Sequence, residues 1–445
     1  MASAADRHAG PETPRSPVKD QKPNQSEASA VKNIFRQLGP GLVTGASDDD
    51  PSGIATYSQV GAHFGYGMLW TMFFSYPLMA AFQEVCARIG RVTGGGLAAN
   101  LRRHYSKWLL YSVLSLMAVA NIFNLGADLG AMGAAAHLIL PWNTKIYVLI
   151  FGIVSVLAVL FIPYSDYSRY LKWLTLSLFA YFGTAFYVHL RWSEVMRAVL
   201  IPKLELNREY LTALIAVLGT TISPYLFFWQ ASQEVEEVKN NPGEEALKKA
   251  PRQARVQLER IRMDTYIGMA FSNVVAFFII LTTAATLHAH GINDVSSSAQ
   301  AALALEPLAG RYAFLLFVCG ILGTGMLAVP VLAGSAAYGI GEAQRWRTSL
   351  ERKPREAIRF YGAIVVATMV GGALNFYGID PIKALYWSAV LNGMVAAPLM
   401  VVIMLMACSS KVMGKFCIPR YLRLVGWLAT VVMVCVCLGM LATWK

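Results

Sequence analysis

Charged residues are scarce in this chain. Asp, Glu, Lys and Arg make up 14% of its 445 residues, whereas a typical soluble protein carries about 25%. Hydrophobic residues make up 56%, and the mean hydropathy is +0.47. This composition excludes an ordinary soluble protein and indicates that lipid surrounds most of the chain.

Other familiar patterns are also missing. The six cysteines, which are Cys86, Cys319, Cys408, Cys417, Cys435 and Cys437, show neither zinc-finger nor disulfide-framework spacing. There is no Walker-type Gly-rich loop, and no predicted loop is long enough to fold as a catalytic or sensory module. These absences argue against a membrane enzyme, a metal sensor or an ATP-driven pump, and no cofactor is predicted.

Residues 1–33 lack any apolar core. They are polar and Pro-rich, so they do not have the apolar region of a cleaved signal peptide. We expect a disordered cytoplasmic tail here, with the first apolar segment serving as an uncleaved signal anchor.

What the chain has instead is a series of long apolar runs. A membrane-spanning helix needs roughly 20 mostly apolar residues, and eleven runs qualify. They lie near 41–62, 66–88, 109–138, 145–164, 170–190, 210–234, 264–288, 312–340, 357–376, 384–407 and 421–443. The sequence therefore predicts an all-α polytopic membrane protein with about eleven transmembrane helices.

Basic residues follow the even-numbered runs. They concentrate at 88–107, 248–262, 345–359 and 411–423, and the opposite loops are poor in Lys and Arg apart from 191–208. This is the positive-inside pattern. It predicts a cytoplasmic N-terminus and an extracytoplasmic C-terminus in the cell (inner) membrane. It also explains the net charge of +12 without a nucleic-acid partner.

Two of the runs are interrupted. "SDDDPSG", from Ser47 to Gly53, cuts the first run, and "GTTISP", from Gly219 to Pro224, cuts the sixth. Broken helices at corresponding positions of two halves indicate an inverted-repeat transporter with its substrate site between the half-helices. We therefore predict a LeuT-like 5+5 repeat, with helices 1–5 in 34–190, helices 6–10 in 209–407, and an eleventh helix in 420–445.

The interruptions supply oxygen ligands. Asp50 directly precedes Pro51 and is the predicted cation ligand, because an ionised side chain inside a membrane is by default functional. Three roles are open for Asp48 and Asp49: further ligands of the cation, neighbours of the site in an aqueous vestibule, or simply solvated residues. The hydroxyls of Thr220, Thr221 and Ser223, with unpaired carbonyls at 219–222, complete a hard ligand set suited to Mg²⁺, Ca²⁺ or Mn²⁺.

The alternative for the sixth run is a Pro-kinked helix whose Ser and Thr side chains satisfy the freed carbonyls. Other polar residues have two interpretations as well. Asp128 serves the ion or proton pathway, or it pairs with Asn121 or Asn124. Asn392 reaches the ion's water shell or only packs. The glutamates at 234, 236 and 237 are expected to form a solvated helix end.

Three segments resemble the Nramp family of divalent-metal transporters. "GPGLVTGASDDDPSGIATYSQVGAHFGYGMLW" is similar to the family's first helix, whose signature is Asp-Pro-Gly-Asn. "CARIGRVTGGGLA" resembles the segment that closes its second helix, and "GTTISPYLFF" lies where the family has a Met-Pro-His break. The resemblance implies the LeuT-like fold and a divalent-cation substrate.

The site residues depart from that family pattern. Asp50 and Pro51 are kept, but Gly53 replaces the Asn and Ser223 replaces the metal-binding Met. Tyr225 replaces the His associated with proton movement. Gly53, at the position of the signature Asn, is included in the predicted metal site.

Two further positions complete the comparison. Thr220 stands where the family uses an Ala carbonyl, and Ala127 falls at an acidic position, with Asp128 adjacent. The Met that Ser223 replaces has a thioether, and its loss removes a preference for Mn²⁺ or Fe²⁺. Gly53 and Ser223 are also shorter than the family's Asn and Met, so we expect a wider cavity that suits a partly hydrated ion.

The pattern is similar to the Nramp-related magnesium transporters. It predicts uptake of Mg²⁺, and also of Mn²⁺, by alternating access without proton coupling. The alternatives are a proton-coupled Mn²⁺/Fe²⁺ transporter of the ordinary type and an organic amine or amino-acid transporter on the same fold.

Overall fold

The computed structural model describes residues 44–45, 47–163, 166–167 and 174–443. The predicted tail at 1–33 and the beginning of the first predicted run lie outside these residues. The α-helices with complete bounds are α1 Pro51–Phe64, α2 Trp70–Thr93, α3 Leu97–His104, α4 Lys107–His137, α5 Thr144–Phe161, α6 Phe179–Tyr187, α7 Trp192–Leu200, α8 Arg208–Thr221, α9 Pro224–Asn240, α10 Ala254–Thr286, α11 Ser298–Leu303, α12 Glu306–Ala309, α13 Ala313–Ala343, α14 Ile358–Leu374, α15 Pro381–Cys408, α16 Ser410–Met413 and α17 Arg420–Ala442. Within the described residues there are no β-strands.

Eight stretches of the described chain are long and apolar enough to cross a membrane. They correspond to the third and fourth predicted runs and to the sixth through eleventh. The other three runs differ for physical reasons. The first is interrupted before α1, α2 carries polar residues such as Gln83 and Glu84 in its second half, and the fifth falls partly outside the described residues.

The first break is built by a helix cap. Asp50 has extended backbone angles and is the N-cap of α1, and its side chain accepts a hydrogen bond from the backbone N–H of Gly53. Pro51 follows at the first helical position, where its missing N–H leaves no donor unsatisfied. The same Asp-Pro pair that interrupts the first run therefore starts a new helix.

The second break separates α8 from α9. Ile222 and Ser223 leave the helical conformation, and Pro224 begins α9. The 33-residue stretch from Arg208 to Asn240 is nevertheless the most enclosed of the eight candidate spans, because its apolar window is 100% buried. The second interrupted helix thus lies inside the protein, and most residues of α1 are buried as well.

The broken helices pack against long unbroken ones. α1 lies against α10 and α15, α8 against α15, and α9 against α2. Glycine permits the closest of these contacts, as small residues do between helices in membranes. A Cβ on Gly219 would lie 2.1 Å from the carbonyl oxygen of Ala389, and one on Gly393 would lie 2.5 Å from that of Ile215. α8 and α15 therefore touch backbone to backbone.

Gly393→Ala should destabilise the protein. Alanine favours a helix over glycine by about 1 kcal/mol, but the added methyl group would push α15 off α8, and overpacking typically costs about 1–3 kcal/mol. We expect a lower melting temperature in detergent. Gly362→Ala, in α14 with nothing within 4 Å of the new methyl group, is the matched control and should leave the melting temperature unchanged or raise it. Equal melting temperatures for the two variants would contradict the close contact.

The end of α9 departs from the expectation of a solvated terminus. Glu234 is fully buried and lies 2.6 Å from Arg260 of α10. Glu236 is also buried and accepts hydrogen bonds from the Tyr338 hydroxyl and the Leu350 N–H. The prediction was wrong for these two residues because the partners come from later helices, whose positions the local sequence does not reveal.

Candidate metal-binding site

Asp50 is held by four hydrogen bonds. Its Oδ1 accepts from the Gly53 N–H at 2.7 Å and from the Ser52 hydroxyl at 2.6 Å. Its Oδ2 accepts from Asn124 Nδ2 of α4 at 3.0 Å and from the Tyr225 hydroxyl of α9 at 3.2 Å. A carboxylate with so many donors is fixed in position and well satisfied in its ionised form. Asp50 thus joins the two breaks through Tyr225.

The three predicted hydroxyl ligands all bond to carbonyls of α8. Thr221 and Thr220 contact the Val217 oxygen at 3.0 and 2.9 Å. The Ser223 hydroxyl lies 2.6 Å from the Thr220 oxygen and 3.0 Å from the Gly219 oxygen. The sequence analysis expected unpaired carbonyls at 219–222, but the single proton of the Ser223 hydroxyl is directed at the oxygens of Thr220 and Gly219, with the shorter contact to Thr220.

This pattern matches the alternative interpretation of the sixth run, in which Ser and Thr side chains satisfy the freed carbonyls. It leaves oxygen ligands in place, because a hydroxyl that donates its proton keeps lone pairs that can accept. The three hydroxyl groups of the break are thus satisfied in this conformation. A bound cation would share or replace these contacts.

Thr220 also contacts Tyr57 of α1. Its Oγ1 lies 2.9 Å from the Tyr57 hydroxyl, and since Thr220 can donate its one proton to Val217, the phenol is the natural donor here. Tyr57 is fully buried, and its ring lies 3.3 Å from the position that a Cβ on Gly53 would take. Gly53 therefore does not widen the cavity in this conformation, because the ring of Tyr57 fills the space beside it.

Asp48 and Asp49 face a different helix. Asp48 Oδ2 and Asp49 Oδ1 lie 2.6 and 3.0 Å from the hydroxyl of Ser272 in α10. Both carboxylates are buried, and the second oxygen of each has no hydrogen-bond partner among the described residues. The structure thus separates them from Asp50, which bonds to α4 and α9.

Asp128 and Asn392 are buried as well. Asp128 lies one helical turn after Asn124, which holds Asp50, so it is on the same face of α4. Its carboxylate makes no hydrogen bond of good geometry among the described residues, although the backbone of Ser52 lies near it. The side-chain amide of Asn392 in α15 likewise has no hydrogen-bond partner among the described residues.

These aspartates have no basic partner. Asp48, Asp49, Asp50 and Asp128 are at most 2% exposed, and no Lys, Arg or His of the described chain makes an ion pair with them. Nor do the described residues contain a group of three His, Cys, Asp or Glu side chains arranged to hold a metal. The site is acidic and lined by oxygen atoms.

A vestibule leads towards this site. It is a cavity of about 610 Å³ lined by Ala55, Gln59 and Val60 of α1, Thr212 and Ala213 of α8, and Tyr386 of α15, among others. It opens at the end of α1 that is remote from Asp50. Neither Tyr57 nor Thr220 lines it, so it ends before the aspartate.

Sequence reasoning missed three residues that position the aspartates. Asn124 holds Asp50, Tyr57 covers Gly53, and Ser272 bridges Asp48 and Asp49. Asn124 was considered only as a partner for Asp128. A polar residue within an apolar run was the available signal for all three, but it does not identify the contact.

Solved structures place this architecture among membrane transporters. A manganese transporter of Eremococcus coleocola, crystallised with an aromatic bis-isothiourea substituted compound, superposes with a TM-score of 0.72 at 17% identity. The match covers 96% of this chain and 89% of that one. Mhp1, a nucleobase-cation-symport-1 family transporter in a closed conformation, gives 0.53 at 14% identity over 92% and 93%. At these identities the likeness shows the fold alone, and it confirms the predicted LeuT-like class.

The sequence relatives are more specific. The divalent metal cation transporter MntH of Klebsiella pneumoniae is 25% identical over 419 residues, which are 92% of this chain and 95% of the relative. The family described as natural resistance-associated macrophage protein-like, Nramp, matches residues 41–443, and this chain belongs to it. Its members are multi-pass membrane transporters rather than enzymes.

Proposed function

We propose that the protein transports divalent cations, Mg²⁺ above all and also Mn²⁺, by alternating access around Asp50 and residues 219–223. One observation carries the proposal, namely a buried carboxylate without a basic partner, fixed by four hydrogen bonds where two interrupted helices meet. Oxygen ligands from carboxylate, hydroxyl and water suit Mg²⁺, which keeps several of its waters. The relatives' names support the broader class of substrate.

We also propose that transport is not coupled to protons. A phenol, that of Tyr225, contacts Asp50 where the family has an imidazole. An unperturbed phenol ionises at about pH 10 and an unperturbed imidazole at about pH 6.5. Only the imidazole therefore exchanges protons readily at neutral pH. A membrane potential supplies about 2.3 kcal/mol per charge per 100 mV, which is sufficient to drive uptake of a divalent ion.

The proposed orientation follows from the distribution of basic residues. With the N-terminus in the cytoplasm, Phe64 at the end of α1 lies on the outer side of the cell membrane. The vestibule then opens to the outside, and the salt bridges Glu234–Arg260 and Arg91–Glu244 lie on the cytoplasmic side. In this orientation the structure is outward-facing with its site covered.

The second candidate is an ordinary proton-coupled manganese transporter, and the similarity to a manganese transporter of Eremococcus coleocola favours its metal. Purified protein in liposomes, with a negative potential inside, distinguishes the two. We expect uptake of both Mg²⁺ and Mn²⁺ without acidification of the lumen. Uptake of Mn²⁺ with acidification and no Mg²⁺ flux would establish the second candidate. Liposomes without protein and liposomes with an ionophore for protons are the controls.

A further inference from the structure

The vestibule and the carboxylate of Asp50 lie on one continuous line of side chains. On α1, Val60 lines the vestibule, and Tyr57, Gly53 and Asp50 follow at intervals of three, four and three residues. Such spacing places residues on one face of a helix. The part of the vestibule wall formed by Val60 and Phe64 therefore continues through Tyr57 to the candidate ion site, whereas Ala55 and Gln59 line the vestibule from another side of the helix.

α8 provides the facing wall. Thr212 and Ala213 line the vestibule, Ala216 follows three residues after Ala213, and Thr220 four residues later. Ala213 and Thr220 are seven residues apart, which is about 10 Å along the helix. The floor of the vestibule thus lies roughly two turns from the hydroxyl of Thr220, and the intervening Ala216 is fully buried.

Tyr57 occupies the interval between these walls. Its ring lies against Gly53, and its hydroxyl reaches across to Thr220 at 2.9 Å. This hydrogen bond connects α1 to α8 directly above the break. An ion in the vestibule cannot reach Asp50 along this line unless the ring moves.

We propose that Tyr57 is the gate on the vestibule side of the ion path, held shut by its hydrogen bond to Thr220. The proposal rests on the proposed function for the identity of the ion, but not for the closure itself. The residue is a positioning and gating residue, since Asp50 and the groups at 219–223 are the proposed ligands. The structure is accordingly the closed state of this gate.

A cysteine placed behind the gate tests the proposal. Ala216→Cys is introduced in three backgrounds, which are the unaltered chain, Tyr57→Phe and Tyr57→Ala, and it is treated with a charged, membrane-impermeant thiol reagent. Glu209→Cys, in the exposed part of the vestibule wall on the same helix, shows that each background is folded and open to the reagent. The chain without an introduced cysteine reports labelling of native thiols, including the exposed Cys435.

We expect Glu209→Cys to react quickly in every background, because the Glu209 side chain is 77% exposed. Ala216→Cys should react slowly with Tyr57 present, about 2- to 10-fold faster in Tyr57→Phe, since a single hydrogen bond contributes about 0.5–1.5 kcal/mol, and faster still in Tyr57→Ala. Tyr76→Phe removes a hydroxyl that bonds to the Tyr266 carbonyl on another pair of helices, and it should change nothing. Equal rates at 209 and 216 with Tyr57 intact would overturn the proposal.

Two further outcomes separate this inference from the proposed function. If the labelling rate at position 216 is the same with and without the Tyr57 substitutions, in a protein that takes up Mg²⁺, the gate alone is refuted. If the labelling rate at position 216 rises in the Tyr57 variants, in a protein that transports no divalent cation, the gate is supported and the proposed substrate is refuted. The labelling experiment needs no transported ion, so the two proposals fail independently.

Discussion

Asp50→Asn should abolish cation uptake while leaving the fold intact. Asparagine is as good an N-cap as aspartate, so α1 should still begin at Pro51. The substitution removes the negative charge and turns one acceptor oxygen into a donor. We expect uptake to fall by about 100-fold or more, equivalent to about 2.8 kcal/mol of lost interaction with the ion.

The surroundings of Asp50 can accommodate the amide. The new NH₂ group would face either Gly53 and Ser52 or Asn124 and Tyr225, and the backbone N–H of Gly53 cannot change its role. The amide of Asn124 can, because its Oδ1 has no hydrogen-bond partner and a flip would present it to the new donor. The melting temperature should therefore change little.

The chain contains a matched control for this variant. Asp380 is also followed by a proline, caps α15, and accepts a hydrogen bond from the backbone N–H of Lys383 at 2.9 Å. It is exposed, unlike Asp50. Asp380→Asn should leave uptake unaltered, as measured by flux into liposomes. Normal uptake by a folded Asp50→Asn protein would instead place the ion elsewhere, with Asp48→Asn and Asp49→Asn as the next variants to measure.

The breaks were the most predictable feature of the site. Three carboxylates followed by proline inside an apolar run, and a Gly-Thr-Thr-Ile-Ser-Pro sequence five helices later, are local signals with a direct physical meaning. They correctly located the starts of α1 and α9. Hydropathy was less informative for α2, because this helix carries charged residues. Two of them, Glu84 and Arg88, lie one turn apart and form an ion pair at 2.6 Å, the spacing at which opposite charges on a helix meet.

The contacts that organise the site join distant parts of the chain. Asn124 reaches Asp50 across 74 residues, and Thr220 reaches Tyr57 across 163. A single sequence carries no record of such pairings. The wider cavity expected at Gly53 has a local cause instead: Tyr57, one turn later on the same helix, points back over the glycine, as long helical side chains commonly do.

The structure shows where the predicted ligands lie, but it does not test whether they bind the ion. The structure brings Asp50, Tyr225 and the break between α8 and α9 together, and it directs Asp48 and Asp49 to Ser272 instead. Coordination by Gly53, Thr220, Thr221 and Ser223, and any part played by Asp128 and Asn392, stay predictions. Flux measurements on these variants decide them.

Removing Arg260 should strongly destabilise the protein. Its guanidinium lies 2.6 Å from Glu234, whose side chain is fully buried. Arg260→Met would leave that buried carboxyl group without its ion-pair partner, and breaking a buried pair in this way typically costs about 3–5 kcal/mol. Unfolding in a graded series of denaturing detergent would measure the loss.

The paired replacement gives the opposite expectation. In Glu234→Leu/Arg260→Met neither charge is left behind, and apolar residues of similar volume often replace a buried ion pair at no loss of stability. We expect the double variant to unfold close to the original protein, so the two substitutions should be far from additive. A double variant as unstable as the sum of the single variants would show that the pair is not what holds α9 to α10.

An exposed ion pair on α10 is the control. Arg255 and Glu259 lie 3.6 Å apart with side chains 87% and 69% exposed, and such pairs contribute little because water screens them. Arg255→Met should hardly change the stability. The contrast between two arginines five residues apart would show that burial decides the effect. It would also show that the charged end of α9, expected from sequence to be solvated, is a structural junction between α9 and α10.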